Sequence, residues 1–183
     1  MTPPSRLEDI ERLYAARGGL TYGEGVTQLE HALQCAVLAQ AAGASPSLVA
    51  AALLHDIGHL LQHEREATAF SADDHHEAAG AEALAGLFGE PVWRPVALHV
   101  AAKRYLCFAE PDYFAALSPA SQASLKLQGG PFDAARAAAF ERLPYWREAR
   151  DLRRFDDTGK RDQPADREFA DFLPLLRALL IAA

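Results

Sequence analysis

The chain has 183 residues, half of them hydrophobic, and carries a formal net charge of −7. That length suits one domain with a core of its own. The acidic balance argues against a general nucleic-acid surface and against an anionic-membrane surface, since both need clustered Lys and Arg, while a small anion needs only a local basic group.

Alanine and leucine dominate and β-branched residues are sparse, which favours helices. "SRLEDIERLYAARGG" opens with a Ser-x-x-Glu box at Ser5 and closes on glycine. "TQLEHALQCAVLAQAAG" repeats the pattern, with Thr27 as cap, Glu30 three residues on and Gly43 at the end. "SPSLVAAALLHDIG" starts on Ser45 and Pro46 and stops at Gly58. The polar stretch 61–73 reads as a loop. "DDHHEAAGAEALAGLFG" predicts a fourth helix and "PVWRPVALHVAAKRYL" a fifth, kinked or started at Pro95. Shorter helices follow in "PDYFAAL", "SPASQASLKLQ", "DAARAAAFERL" and "YWREARDLRRF", with "QGGP" (Gln128 to Pro131) as a turn. A last amphipathic helix runs through "REFADFLPLLRALL". No repeat, low-complexity tract or linker interrupts the series, so residues 1–183 are expected to form a single all-α domain, a helical bundle. Two cysteines, Cys35 and Cys107, are too few for a disulfide framework, and no CxxC occurs, which points to a reducing, cytoplasmic setting. The opening "MTPPSRLEDIERLY" turns charged at once, so no secretory leader is expected, and no apolar run is long enough to span a membrane.

Residues of metal-ligating type fall on five separate elements. His31 lies within the second helix, His55 and Asp56 end the third, His76 begins the fourth, His99 lies within the fifth, and Asp156 follows "WREARDLRRF". The flanks "LEHALQCAVLA", "AALLHD" and "VALHVAA" are apolar, and a buried charge needs a partner or a metal. Imidazole with carboxylate suits Fe, Mn, Ni or Zn. His31, His55, Asp56 and Asp156 are enough for one ion. His76 and His99 exceed that need if positions stay open for substrate, and Asp56 has two oxygens with which to bridge, so the full set suggests a dinuclear site. A histidine alone in an apolar helix is ordinarily a satisfied core residue, and the dipeptide His-Asp occurs by chance. The pattern H…HD…H…H…D carries the argument. His63 and His75 read as surface residues, although a helix N-terminus can present either His75 or His76.

This pattern resembles the HD-domain superfamily, whose signature is H…HD…D on a helical fold. "YGEGVTQLEHALQCA", "AALLHDIGHLL", "HVAAKRYL", "LSPASQASLKLQGGPF" and "RRFDDTGK" are similar to the phosphonate-degrading HD-domain oxygenases, the mixed-valent diiron PhnZ and TmpB group. The blocks run from Tyr22 to Lys160, and "HVAAKRYL" and "LQGGP" are the more specific, because ordinary HD hydrolases do not share them. The resemblance implies an Fe(II)/Fe(III) pair. His31, His55 and Asp156 would complete one iron, His76 and His99 the other, with Asp56 bridging and His76 preferred over His75. It implies catalytic roles for Asp56, His59 and Lys103. It implies substrate binding by Tyr22, Glu24, His59, Lys103, Ser121 and Gln128. A phosphonate dianion needs a cation and several donors, and Lys103 shares a helix face with His99, four residues away. Glu24 would face a substrate ammonium or act as a gate. Arg104 reads as structural, and Cys107 as a buried, inert thiol.

The implied activity is O2-dependent cleavage of the C–P bond of a 1-hydroxy-2-aminoethylphosphonate or its trimethylammonio counterpart. The products would be phosphate and glycine or glycine betaine, with dioxygen as co-substrate. A trimethylammonium group would want aromatic faces, for which Tyr22, Tyr105, Phe108 and Tyr113 are available, and a primary ammonium a carboxylate such as Glu24. A hydroxyphosphonate with a different amine, or none, is also open. The competing class is a metal-dependent phosphohydrolase acting on a nucleotide or other phosphate ester, in which the same six ligands hold two divalent metals and activate a bridging hydroxide. A missing ligand would have favoured a non-catalytic sensor, and the set is complete.

Overall fold

The structure, a computed structural model, describes residues 4–21, 25–62 and 75–181. Eleven helices and no strand occur among the described residues, and one isolated antiparallel bridge joins Phe88 to Leu180. The helices are α1 (Leu7–Arg17), α2 (Gln28–Ala41), α3 (Pro46–Leu54), α4 (Ile57–Leu61), α5 (His76–Ala85) and α6 (Glu90–Ala109). They continue with α7 (Tyr113–Ala116), α8 (Pro119–Leu127), α9 (Ala134–Phe140), α10 (Trp146–Thr158) and α11 (Phe169–Ala178). The expected all-α class holds.

The centre is α3. Every residue from Leu48 to Leu54 is buried. A helix apolar on all sides has to be surrounded, and α2, α6, α10 and α11 pack around it. Its start is the one the sequence announces: Ser45 accepts from the Leu48 N–H, and Pro46 fills the first turn. Thr27 likewise caps α2 through the Glu30 N–H, at 3.2 Å. The Glu30 carboxylate does not return to that cap. It accepts from Gln34 Nε2 at 3.1 Å and from the Ala165 N–H, tying α2 to the chain beyond α10. At α1 the cap falls on Arg6, and Asp9 rather than Glu8 closes the box, accepting from the Ser5 and Arg6 N–H groups at 3.0 Å each.

Three further expectations change. The third predicted helix does not run to Gly58. It ends at Leu54, and α4 begins at Ile57. Successive side chains on one helix point about 100° apart, so the break allows His55 and Asp56 to turn toward one centre. Asp56 stands at the N-cap of α4, yet its carboxylate takes no cap bond. The second change is α6, which does not start at Pro95 but begins at Glu90 and runs through the proline. The third is Asp156, which lies inside the last turn of α10 rather than beyond the helix. Of the expected loop, Leu61 ends α4, and residues 63–74 lie outside the described residues.

A satellite cluster of Ala102, Phe140 and Ala149, with Tyr105, Phe132 and Trp146, seats α9 on α6 and α10. Among the described residues no helix is long and apolar enough to cross a membrane.

The Tyr14 hydroxyl donates to the Leu53 carbonyl at 2.9 Å and pins α1 to the end of α3, beside the His55–Asp56 turn. Tyr14→Phe is expected to cost about 1 kcal/mol of stability. Urea unfolding would read this as a lower midpoint at unchanged slope.

Candidate metal centre and anion cradle

The turn after α3 places Asp56 among four imidazoles. Its Oδ2 lies 3.7 Å from His31 Nε2 on α2. Its Oδ1 lies 3.4 Å from His55 Nε2, 3.6 Å from His76 Nε2 on α5 and 3.8 Å from His99 Nε2 on α6. Asp156 closes the opposite side, with Oδ1 3.4 Å from His31 Nε2 and Oδ2 3.8 Å from His55 Nε2. His76 and His99 meet Nε2 to Nε2 at 3.1 Å. Two donors bonded to one ion at about 2.0–2.2 Å sit roughly 3–3.5 Å apart, so this spacing fits shared ions.

The backbone aims the rings. His31 Nδ1 lies 2.7 Å from the Gly159 carbonyl, His55 Nδ1 2.9 Å from that of Ala52, and His99 Nδ1 2.7 Å from that of Val96. An N–H donated from each Nδ1 leaves Nε2 as a lone pair facing the centre. His55 Nε2 is fully buried without a hydrogen-bond partner among the described residues. Such a nitrogen is costly unless an ion takes it.

Protonation follows the same pattern. Burial works against the Asp56 charge, but His55, His59 and His76 hold its carboxyl far below the ordinary range. Burial likewise opposes the Asp156 charge, and Arg153, Lys160 and His31 overcome it. Burial pushes His55 down, and burial with the neighbouring imidazoles pushes His99 further. Ionised carboxylates and neutral imidazoles are what a metal requires. His31 differs. Burial lowers it, yet Cys35 and Asp156 raise it well above its usual value.

Beside this cluster lies a set of cations and hydroxyls. Lys103 is buried on α6 and donates to Ser124 Oγ at 2.8 Å. Arg153 donates from Nη1 to Asp156 Oδ2 at 2.6 Å and from Nη2 to Ser121 Oγ at 3.3 Å. Lys160 Nζ reaches Ser121 Oγ at 3.2 Å and Asp156 Oδ1 at 3.5 Å. Gln128 is buried at the end of α8, and its Oε1 has no hydrogen-bond partner among the described residues. Asp157 and the Tyr113 hydroxyl brace Arg153 from behind.

Sequence reasoning therefore brings together His31, His55, Asp56, His76, His99 and Asp156. It also names Lys103 and Ser121, buried in the neighbouring set, and Gln128, buried at the end of α8, the helix that carries Ser121. His59 stacks on His76, with ring centroids 3.9 Å apart. His75 is exposed, with 71% of its side-chain surface accessible, so burial selects His76. Tyr22, Glu24 and His63 lie outside the described residues. Tyr105 belongs to the satellite cluster with Phe140 and Trp146, and Phe108 is exposed. Arg104 binds the Gly129 and Gly130 carbonyls, a structural role. Cys107 is half-buried rather than buried, and burial raises its thiol. The thiol at the centre is instead Cys35, one turn after His31, with Sγ 3.7 Å from His31 Nδ1. Its position four residues on was the available signal. Arg153 and Lys160 were missed as well, although they stand three before and four after Asp156.

Residues 29–156 match the HD-domain family, a span that opens just before His31 and ends on Asp156. The chain belongs to the HD-domain family. Among curated relatives, it is 49% identical over 161 residues to the hydroxymethylphosphonate dioxygenase of Gimesia maris (strain ATCC 29201 / DSM 8797 / 534-30), covering 87% of this chain and 80% of that protein. It is 42% identical over 179 residues to the [1-hydroxy-2-(trimethylamino)ethyl]phosphonate dioxygenase (glycine-betaine-forming) of Leisingera caerulea, covering 95% and 90% of the two chains. A third relative is an uncharacterized protein of Acanthamoeba polyphaga mimivirus, 34% identical over 155 residues, or 82% of this chain and 71% of that one.

Asp56 faces both halves of the cluster. Asp56→Ala is expected to lose metal from both, as read by elemental analysis after loading. Full metal content in that variant would remove Asp56 from the ligand set.

Proposed function

We propose that the protein is a metal-dependent dioxygenase that cleaves the C–P bond of a 1-hydroxyalkylphosphonate, using O2 and giving phosphate and a carboxylic acid. The observation that carries this reading is the joint between the two clusters. Arg153 and Lys160 each contact both Asp156 and Ser121. A substrate with a hydroxyl on the carbon next to its phosphonate suits that adjacency, one end toward the metals and the other toward the cations. The names of two relatives, at 49% and 42% identity, support the same substrate class.

In this reading His31, His55 and Asp156 hold one ion, His76 and His99 the other, and Asp56 serves both. The ions are iron, a mixed-valent Fe(II)/Fe(III) pair, which when bound supplies the redox chemistry with dioxygen that side chains lack. Lys103, Arg153 and Lys160 neutralise the phosphonate, and Ser121 and Ser124 add hydrogen bonds. Gln128 Oε1 accepts from the substrate hydroxyl. His59, held against His76, donates to the phosphonate. Glu24 and Tyr22 are assigned to the amine end, where a primary ammonium leads to glycine and a trimethylammonium to glycine betaine. The burial of the cradle keeps bulk water from the reacting carbon and strengthens each ion pair. The whole chain is read as one HD domain that works in the cytoplasm on a small molecule, without nucleic acid or membrane.

The test uses anaerobically purified, iron-loaded protein. Hydroxymethylphosphonate, 1-hydroxy-2-aminoethylphosphonate and its trimethylated analogue are added with and without air, and phosphate is measured. Phosphate that forms only with oxygen is expected, and the fastest substrate names the amine end. Turnover of phosphate esters under argon, with no phosphate from the phosphonates, would replace this reading with a hydrolase.

Lys103 gives a pH prediction. Burial, then Arg153, lowers its amine to about 7 against the pull of Asp156. It is charged below that value and neutral above it, and a dianion needs the charge. kcat/KM is therefore expected to fall as pH rises above 7. Lys103→Arg, always charged, should lose that alkaline limb. Lys103→Ala should keep its metals and raise KM by roughly ten- to a hundredfold. An alkaline limb unchanged in Lys103→Arg would assign it to another group.

A further inference from the structure

Gly58, in the "HDIGH" stretch, meets α5 at its first residue. A Cβ on Gly58 would lie 1.9 Å from the His76 carbonyl oxygen, 2.7 Å from its carbonyl carbon and 2.9 Å from its Cα. These are backbone atoms, so no side-chain rotation relieves the clash. Gly80 on α5 faces the same seam, and its Cβ would lie 3.3 Å from the Gly58 nitrogen and 3.3 Å from Ile57 Cγ2. His75, just before the contact, has φ 50° and ψ 36°, a left-handed conformation that non-glycine residues rarely adopt. The entry to α5 is thus fixed from two directions.

Of the six clustered residues, His76 alone is carried by α5. His31, His99 and Asp156 stand on α2, α6 and α10, and His55 and Asp56 on the turn after α3; α2, α6 and α10 all pack against α3. We propose that Gly58 is the positioning residue for the second metal. It lets the backbones of α4 and α5 touch, which brings His76 Nε2 within 3.1 Å of His99 Nε2 and 3.6 Å of Asp56 Oδ1. Any side chain at 58 pushes the start of α5 outward and draws His76 away, while His31, His55 and Asp156 keep their places. The chain then holds one metal where it held two. This inference rests on the two-metal reading of the site, but it does not depend on the substrate.

The experiment is anaerobic Fe(II) titration of the full chain with elemental analysis, alongside circular dichroism and thermal unfolding. The unaltered chain is expected to bind two irons. Gly58→Ala should keep its helical spectrum and bind one, with the second affinity reduced by about 10–100-fold. His76→Ala, which removes the ligand without moving the helix, should give the same stoichiometry. Gly80→Ala introduces a looser contact and should weaken only the second site, which keeps the question decidable if Gly58→Ala does not fold. Two irons at unaltered affinity in Gly58→Ala, or a folded Gly58→Ala with none, would overturn the proposal alone. In the absence of a folded Gly58→Ala, an unaffected second site in Gly80→Ala would do the same. One iron in the unaltered chain would overturn it together with the two-metal reading.

Discussion

Asp56 carries its charge in the turn just beyond α3, whose residues 48–54 are all buried. Removing a carboxylate from water costs several kcal/mol, and the cost is met only by close, well-aimed partners. Here four elements bring the imidazoles of His31, His55, His76 and His99 around one pair of oxygens, and a cation held among them would satisfy both the carboxylate and the inward-facing lone pairs. The break between α3 and α4, the carbonyl anchors on three of the rings and the close seam at Gly58 all serve that convergence. An ion that binds the folded arrangement and not the unfolded chain adds its binding energy to stability.

The second carboxylate, Asp156, is held by a different device. Arg153, Asp156, Asp157 and Lys160 fall on positions three, four and seven residues apart, which is one face of a helix carried into the turn beyond it. That face is turned inward. Arg153 is buried and spans Asp156, Asp157 and Ser121. A guanidinium so buried is tolerable because every side of its fork has an acceptor. The same cations neutralise Asp156 and would meet a phosphonate, so the two sites share charge, and occupancy of one alters the field at the other.

Much of this was legible in the sequence. The caps at Thr27 and Ser45 and the apolar run of α3 announce their helices through hydrogen-bonding side chains and burial. The histidine–aspartate pattern could be read because imidazoles in apolar helices need a reason. The α3–α4 break could not, since His and Asp are both acceptable within a helix and only the pull of the centre reveals it. Asp156 falls inside α10 although a charged run such as "RRFDD" is ordinarily a solvated helix end. The same reasoning hid Arg153 and Lys160: a charged helix face is ordinarily in water, and nothing local marks this one as buried. The choice between His75 and His76 turned on which side chain is buried, a property of the α4–α5 seam rather than of the dipeptide.

The chemistry of the amine end follows a separate logic. Hydroxymethylphosphonate has no second carbon, whereas the substrate named for the Leisingera caerulea relative carries a trimethylamino group there. Both present a phosphonate and an adjacent hydroxyl. Under the proposed function, a cradle of Lys103, Arg153, Lys160, Ser121 and Gln128 would address only those shared parts, and so would lend the same binding energy to either compound. Specificity is a difference between two affinities, and groups that contribute equally cancel in that difference. Among the described residues, the aromatic candidates do not supply it: Tyr105 is committed to Phe140 and Trp146, Phe108 faces solvent, and the Tyr113 hydroxyl is engaged with Asp157 and Arg153. Under the proposed function, Tyr22 and Glu24 would be the residues to discriminate, since an aromatic face favours a quaternary ammonium, a carboxylate favours a primary one, and neither is needed by a substrate that ends at the hydroxyl.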